Sequence, residues 1–241
     1  TLKTYTRLAM QSGALSPQEY ALIRSVGGYS QREQPRVNAR RAVTRIGLKK
    51  EVPVRLTDEQ AARLKQQPSD PQGRRDALLF CLLLDHGLRA GELAGLSTAD
   101  LDLEAGLLRF HRPKVNKVQT HRLSEDTLRA ARAYANFGDL PKPAPGQSAA
   151  PALLRQSLKN GRLSEAGMTT RAISQRVNLL GKEIGVSGLS AHDCRHYWAT
   201  SAARHGTDPF RLQQAGGWAS LAMPRRYVED NDIANDGVLL D

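Results

Sequence analysis

The sequence predicts an α+β fold, mostly helical, with a small antiparallel sheet. Most apolar residues recur at helical spacing behind recognisable N-terminal caps. One stretch, 101–123, instead shows short apolar runs flanking turn residues. Charge marks a boundary within the chain. Of the 35 Lys/Arg and 24 Asp/Glu in 241 residues, the first 52 residues hold 10 and 3, so most of the +11 excess lies there. The expected organisation is a basic segment, 1–52, followed by a compact domain, 53–241, long enough to bury a core of its own.

The elements follow in order. Ser16-Pro17 reads as an N-cap with proline in the first helical position. Gly28 to Pro53 is polar and basic and reads as a linker or the edge of a preceding domain. Thr57-Asp58-Glu59-Gln60 is a capping box with acidic residues on the first turn. Ala77 to Leu84, with its flanks, predicts a buried helix ending near Gly87. Leu101–Leu103 and Leu107–Phe110 flank a Glu-Ala-Gly turn, and Val118 to Leu123 predicts a third strand. Ser124 caps a helix running to about Asn136. The stretch 138–151 carries four prolines and reads as a loop. From Thr169 the series Ala172, Ile173, Val177, Leu180, Ile184 has helical spacing, and further helices fit Ala191–His205 and Pro209–Ala215.

Composition narrows the partners. A basic chain favours a polyanion, nucleic acid above all. No run of ~18 apolar residues predicts a membrane span. Cys81 and Cys194 lie in helical surroundings without secretory context and read as reduced thiols of a cytosolic protein. The chain opens on Thr1 without a signal-peptide pattern, as a piece of a longer protein would.

The residues suited to chemistry are scattered, and each has a plain structural reading of its own. His192, Arg195 and His196 share a helical face at i, i+3 and i+4. Such a set can hold an anion and move a proton, or simply line a surface. A metal reading of His192, Cys194 and His196 lacks the His-Glu-x-x-His order of zinc hydrolases, and no metal site is assigned. Arg89, after Gly87, reads as a cation at a helix C-terminus, with Glu92 placed to orient it. Lys114 lies in the turn between two predicted strands. Trp218 offers an indole N–H that donates and cannot act as a base. Tyr227 by itself is one partly buried aromatic.

Their order and spacing are more specific. Leu88-Arg89-Ala90-Gly91-Glu92-Leu93, Lys114, His192-x-x-Arg195, Trp218 and Tyr227 resemble the motif series of the tyrosine recombinases, or phage integrases. The resemblance covers about Pro53 to Asp236. Cys194 departs from a common leucine, Gly216 from a usual leucine, and Trp218 stands where most members carry histidine. The resemblance implies that family's catalytic-domain fold, with 1–52 as the tail of an N-terminal DNA-clamping domain. It implies Arg89, Lys114, His192, Arg195, Trp218 and Tyr227 as catalytic residues, with Glu92 and His196 supporting them.

On this reading Tyr227 attacks a DNA phosphodiester, leaving a 3′-phosphotyrosyl link, and neither metal, cofactor nor ATP is required. His192 accepts the phenolic proton and Lys114 protonates the leaving 5′-oxygen. Double-stranded DNA is the implied partner, with a homo-tetramer assembling on it from a chain that is monomeric when free, in the cytoplasm and associated with the nucleoid. Arg155, Lys159, Arg171 and Arg176 are expected DNA contacts. Two alternatives remain open: relaxation of one duplex in the manner of a type IB topoisomerase, and a catalytically silent DNA-binding module.

Overall fold

A computed structural model describes residues 2–25, 54–113, 115–141 and 150–228. The basic stretch 28–53, Lys114, residues 142–149 of the proline-rich loop and the segment from 229 onward lie outside the described residues. The chain divides into two compact units, Thr1–Lys50 and Glu51–Asp241.

In the first unit, helices α1 (Leu2–Gln11) and α2 (Pro17–Ser25) pack on one another. Ser16 caps α2 as expected: its hydroxyl accepts the Glu19 N–H at 3.2 Å, while Glu19 Oε2 accepts the Ser16 N–H at 2.9 Å.

The second unit is built around one buried helix. Thr57 and Gln60 close the capping box of α3 (Asp58–Lys65). Asp70 and Pro71 then open α4 (Pro71–Leu84). Leu78, Leu79, Phe80, Leu82 and Leu83 of α4 are all fully buried, because neighbours cover the helix on every side. Those neighbours include α3, α6 (Glu125–Asn136) and α8 (Ala191–Arg204).

The helix α4 also carries charge inside. Arg75 donates to Asp76 at 2.7 Å, and Asp76 in turn accepts from Arg176 at 2.6 Å. Arg75 Nη1 donates to the Arg155 carbonyl at 2.8 Å, which ties α4 to the second, smaller sheet. Each charge in this network has an oppositely charged partner, the condition under which buried ions are tolerated.

The expected three-strand sheet is present in the order β1-β2-β3: Leu101–Asp102, Leu107–Arg112 and Lys117–Arg122, all antiparallel. In β2 the period of two turns Leu108, Phe110 and Arg112 inward and Arg109 and His111 outward. A second pair, β4 (Arg155–Ser157) and β5 (Leu163–Gly167), was not anticipated from the sequence. It is short and polar, so it carries no alternation to read.

A short helix, α5 (Ala90–Ala94), follows α4. After β5 come α7 (Thr170–Glu183), capped by Thr169, then α8, capped by Ser190, α9 (Pro209–Gly216), capped by Asp208, and α10 (Ala222–Val228). A main core gathers the α4 leucines with Ile173, Val177 and Leu189. A second, smaller cluster holds Trp198, Ala199, Ala203, Leu212 and Tyr227.

Candidate active site

Arg89 does not end a helix, as its sequence position suggested; it is the N-cap of α5. Three residues on, Glu92 turns back to it. Glu92 Oε2 accepts the Arg89 backbone N–H at 2.9 Å, and Oε1 accepts Arg89 Nη1 at 2.7 Å. The Arg89 side chain stays 28% exposed. It is therefore held in one orientation at a solvent-facing edge.

Glu92 has a second cation that sequence reasoning missed. Arg112, fully buried at the end of β2, donates Nη1 to Glu92 Oε2 at 2.8 Å and Nη2 to the Ala215 carbonyl at 2.8 Å. Its Nε bonds Gln119 of β3. The inward face of β2 was readable from the alternation with Leu108 and Phe110. That an arginine would occupy it was not, since only a buried carboxylate brought from another element allows it.

Arg195 lies on the inner face of α8 and is 3% exposed. Its Nη1 donates to the Gly87 carbonyl and its Nη2 to the Gly216 carbonyl, each at 2.5 Å. The guanidinium stacks over the Trp218 ring at 4.7 Å. Each acceptor lies at or next to a left-handed glycine, Gly87 itself and Gly217 after Gly216. Gly87 has φ +61°, and a β-carbon there would strike the Trp198 ring. Gly217 has φ +59° and closes α9 in a left-handed turn that a β-carbon would drive into the Arg112 side chain.

Burial presses the Arg195 guanidinium down to about 9, with the charges of Arg89 and Arg112 adding to the effect and Glu92 and Tyr227 opposing it. Arg112 is likewise lowered, by burial first. At about 9, Arg195 remains cationic at neutral pH. Two arginines thus pair with one carboxylate and a third lies near them, a site with net positive charge built in and donors remaining on Arg195 beyond its two carbonyl bonds.

Tyr227, on α10, is 3% exposed and packs between Trp218 and His196, with ring centroids 5.7 and 5.3 Å away. His196 meets His192 edge-on at 4.8 Å, the i, i+4 contact expected on one helix face. His192 itself is exposed. The fold therefore gathers Arg89, Glu92, Arg195, His196, Trp218 and Tyr227, with His192 next to them.

The expected DNA contacts divide. Arg155 is committed internally, donating to the carbonyls of Ser164, Asp139 and Leu163, and Arg176 is paired with Asp76. Lys159 and Arg171 are exposed. Cys81 and Cys194 are buried, unbridged thiols; burial pushes Cys81 up to about 12 and raises Cys194 as well, so neither is a reactive thiolate. Among the described residues no three His, Cys, Asp or Glu side chains cluster as metal ligands, and no helix is long and apolar enough to cross a membrane.

Comparison with known proteins identifies the family. Residues 54–233 match the Phage integrase family. The tyrosine recombinase XerC of Thermodesulfovibrio yellowstonii is 27% identical over 196 residues, 80% of this chain and 63% of that protein. The tyrosine recombinase XerD of Proteus mirabilis is 29% identical over 75% of this chain and 56% of its own length. The chain thus spans roughly three-fifths of these relatives. Among solved structures, XerA recombinase superposes with a TM-score of 0.60 at 26% identity, over 76% of this chain and 63% of that one. The match over 54–233, together with a fold shared with a solved recombinase, places this chain in the phage integrase family of tyrosine recombinases.

Proposed function

We propose that the chain cleaves and rejoins double-stranded DNA as the catalytic domain of a site-specific recombinase. The observation that carries this is the set of Arg89 and Arg112 paired with the single carboxylate of Glu92, with buried Arg195 beside them and Trp218 between Arg195 and Tyr227. Excess positive charge held in place before substrate arrives suits a group whose oxygens gain charge in the transition state. A phosphodiester under attack is such a group, and Arg89 and Arg195 present the planar donors it needs.

In the step, Tyr227 Oη bonds to phosphorus as the P–O5′ bond breaks. A 3′-phosphotyrosyl ester and a 5′-hydroxyl result. The phenolic proton passes to His192, directly or through water along the His196 edge, and Lys114 supplies the proton for the 5′-oxygen. Trp218 donates its N–H and stacks on Arg195. A second 5′-hydroxyl attacks the ester and restores the phosphodiester, so the reading calls on neither ATP nor metal.

Segment 1–52 serves in this proposal as the end of an N-terminal DNA clamp, and Lys159 and Arg171 contact the DNA backbone. The active assembly is a homo-tetramer on two duplexes, in the cytoplasm with the nucleoid. Solved relatives include XerH bound to a difH substrate and the Tn1549 integrase with circular intermediate DNA, both sharing the fold.

The test incubates the chain with duplexes of randomised sequence, quenches in detergent, and sequences whatever DNA stays covalently attached. An adduct that Tyr227→Phe abolishes supports the proposal. Tight DNA binding with no adduct would show a binding module instead. Exchange between two duplexes carrying the trapped sequence separates recombination from topoisomerase-like relaxation, which would proceed without exchange.

A further inference from the structure

Arg112 is fully buried, so it cannot touch DNA, yet it bonds both supports on which Arg89 and Arg195 rest. On one side it donates to Glu92 Oε2, the oxygen that also receives the Arg89 backbone N–H. On the other it donates to the Ala215 carbonyl, one residue before Gly216, whose carbonyl holds Arg195 Nη2. Gln119, bonded to Arg112 Nε, donates to the neighbouring Gln214 carbonyl at 2.6 Å. The left-handed turn at Gly217, which leads to Trp218, closes directly over the Arg112 stem.

The three donors of one planar group thus span β3, α5 and the end of α9. We propose that Arg112 is a positioning residue that sets the spacing between Arg89 and the Arg195–Trp218 pair. The role rests on the proposed cleavage reaction. A planar fork with fixed angles holds three separated acceptors in register; an ammonium gathers its three donors at one point on a flexible stem and cannot span them. Burial has a second consequence. Arg112 also adds a positive charge near Arg195, which Glu92 offsets.

The test measures single-turnover formation of the phosphotyrosyl adduct at saturating DNA, on a duplex carrying the trapped sequence. Arg112→Met and Arg112→Lys are compared with Arg89→Ala and with the double variants. The expected result is a loss of about 30-fold or more in rate with DNA affinity unchanged within about twofold, and little further loss when Arg89→Ala is added, because both changes remove one coupled device. Losses that multiply would overturn the proposal, as would a weaker affinity at an unchanged rate. Should both Arg112 variants melt below the assay temperature, Gln119→Leu leaves the arginine in place and removes one of its anchors. It should slow cleavage several-fold in the wild-type background and not in Arg89→Ala; equal effects in both refute the role. A wild-type chain that traps no DNA overturns the cleavage reading and this proposal together, whereas adducts with multiplying losses overturn only the role of Arg112.

Discussion

Glu92→Gln isolates the electrostatic centre of the site. The Glu92 carboxylate is 3% exposed and faces Arg112, which is fully buried, and Arg89, which is 28% exposed. Glutamine keeps the shape and one acceptor. It loses the charge and turns an NH2 group toward one of the arginines, so a donor then faces a donor. Breaking a buried pair from one side costs about 3–5 kcal/mol, since the surviving charge has no counter-ion. The retained carbonyl and the partial exposure of Arg89 place the expectation near the lower end, at about 3 kcal/mol. For a unit of this size that is a fall of about 6–12 °C in melting temperature. Urea unfolding followed by circular dichroism reads the change directly. A loss under about 1 kcal/mol would refute the reasoning, because it would mean the arginines do not depend on this carboxylate.

Acid titration gives an independent check. His86 and His121 are in ring contact, 5.8 Å apart. Burial holds both near 4, helped at His86 by Lys65 and at His121 by His86 and Arg112. Unfolded imidazoles titrate near 6.5, so between these values the unfolded chain binds more protons. Stability is therefore full above about pH 6.5 and declines toward pH 4, by up to about 3 kcal/mol per histidine; His86→Gln should flatten that decline, and an unchanged slope would count against it. For DNA contacts, Lys159→Ala and Arg171→Ala should each weaken binding across all sequences and lower the salt slope by about one, without changing the melt. Arg155→Ala and Arg176→Ala should do the reverse, losing stability through abandoned internal acceptors and the abandoned Asp76 charge; a salt slope lowered by either would show that its guanidinium reaches DNA.

Local chemistry made much of the fold legible. Ser16, Thr57 and Ser124 cap helices where the sequence placed them, since a capping hydroxyl and the turn it satisfies are neighbours along the chain. The β1–β2–β3 sheet followed from short apolar runs around turn residues. What escaped had no local signature: α5 is five residues long, and β4 and β5 are polar, so neither shows a period. Arg89 was misplaced by one element, because α4 ends at Leu84 and Arg89 caps the next helix only five residues on.

The sequence by itself determined the mostly helical α+β class, the cap positions, and the ordered series from Arg89 to Tyr227 that marks the family. Only the tertiary structure decided how those residues face one another. Arg195 turns inward because the Gly87 and Gly216 carbonyls, 108 and 21 residues away, await its guanidinium. Arg112 is buried because Glu92, 20 residues back, supplies the charge that permits it. Desolvation and ion pairing depend on separation in space, and no spacing along the chain records that distance.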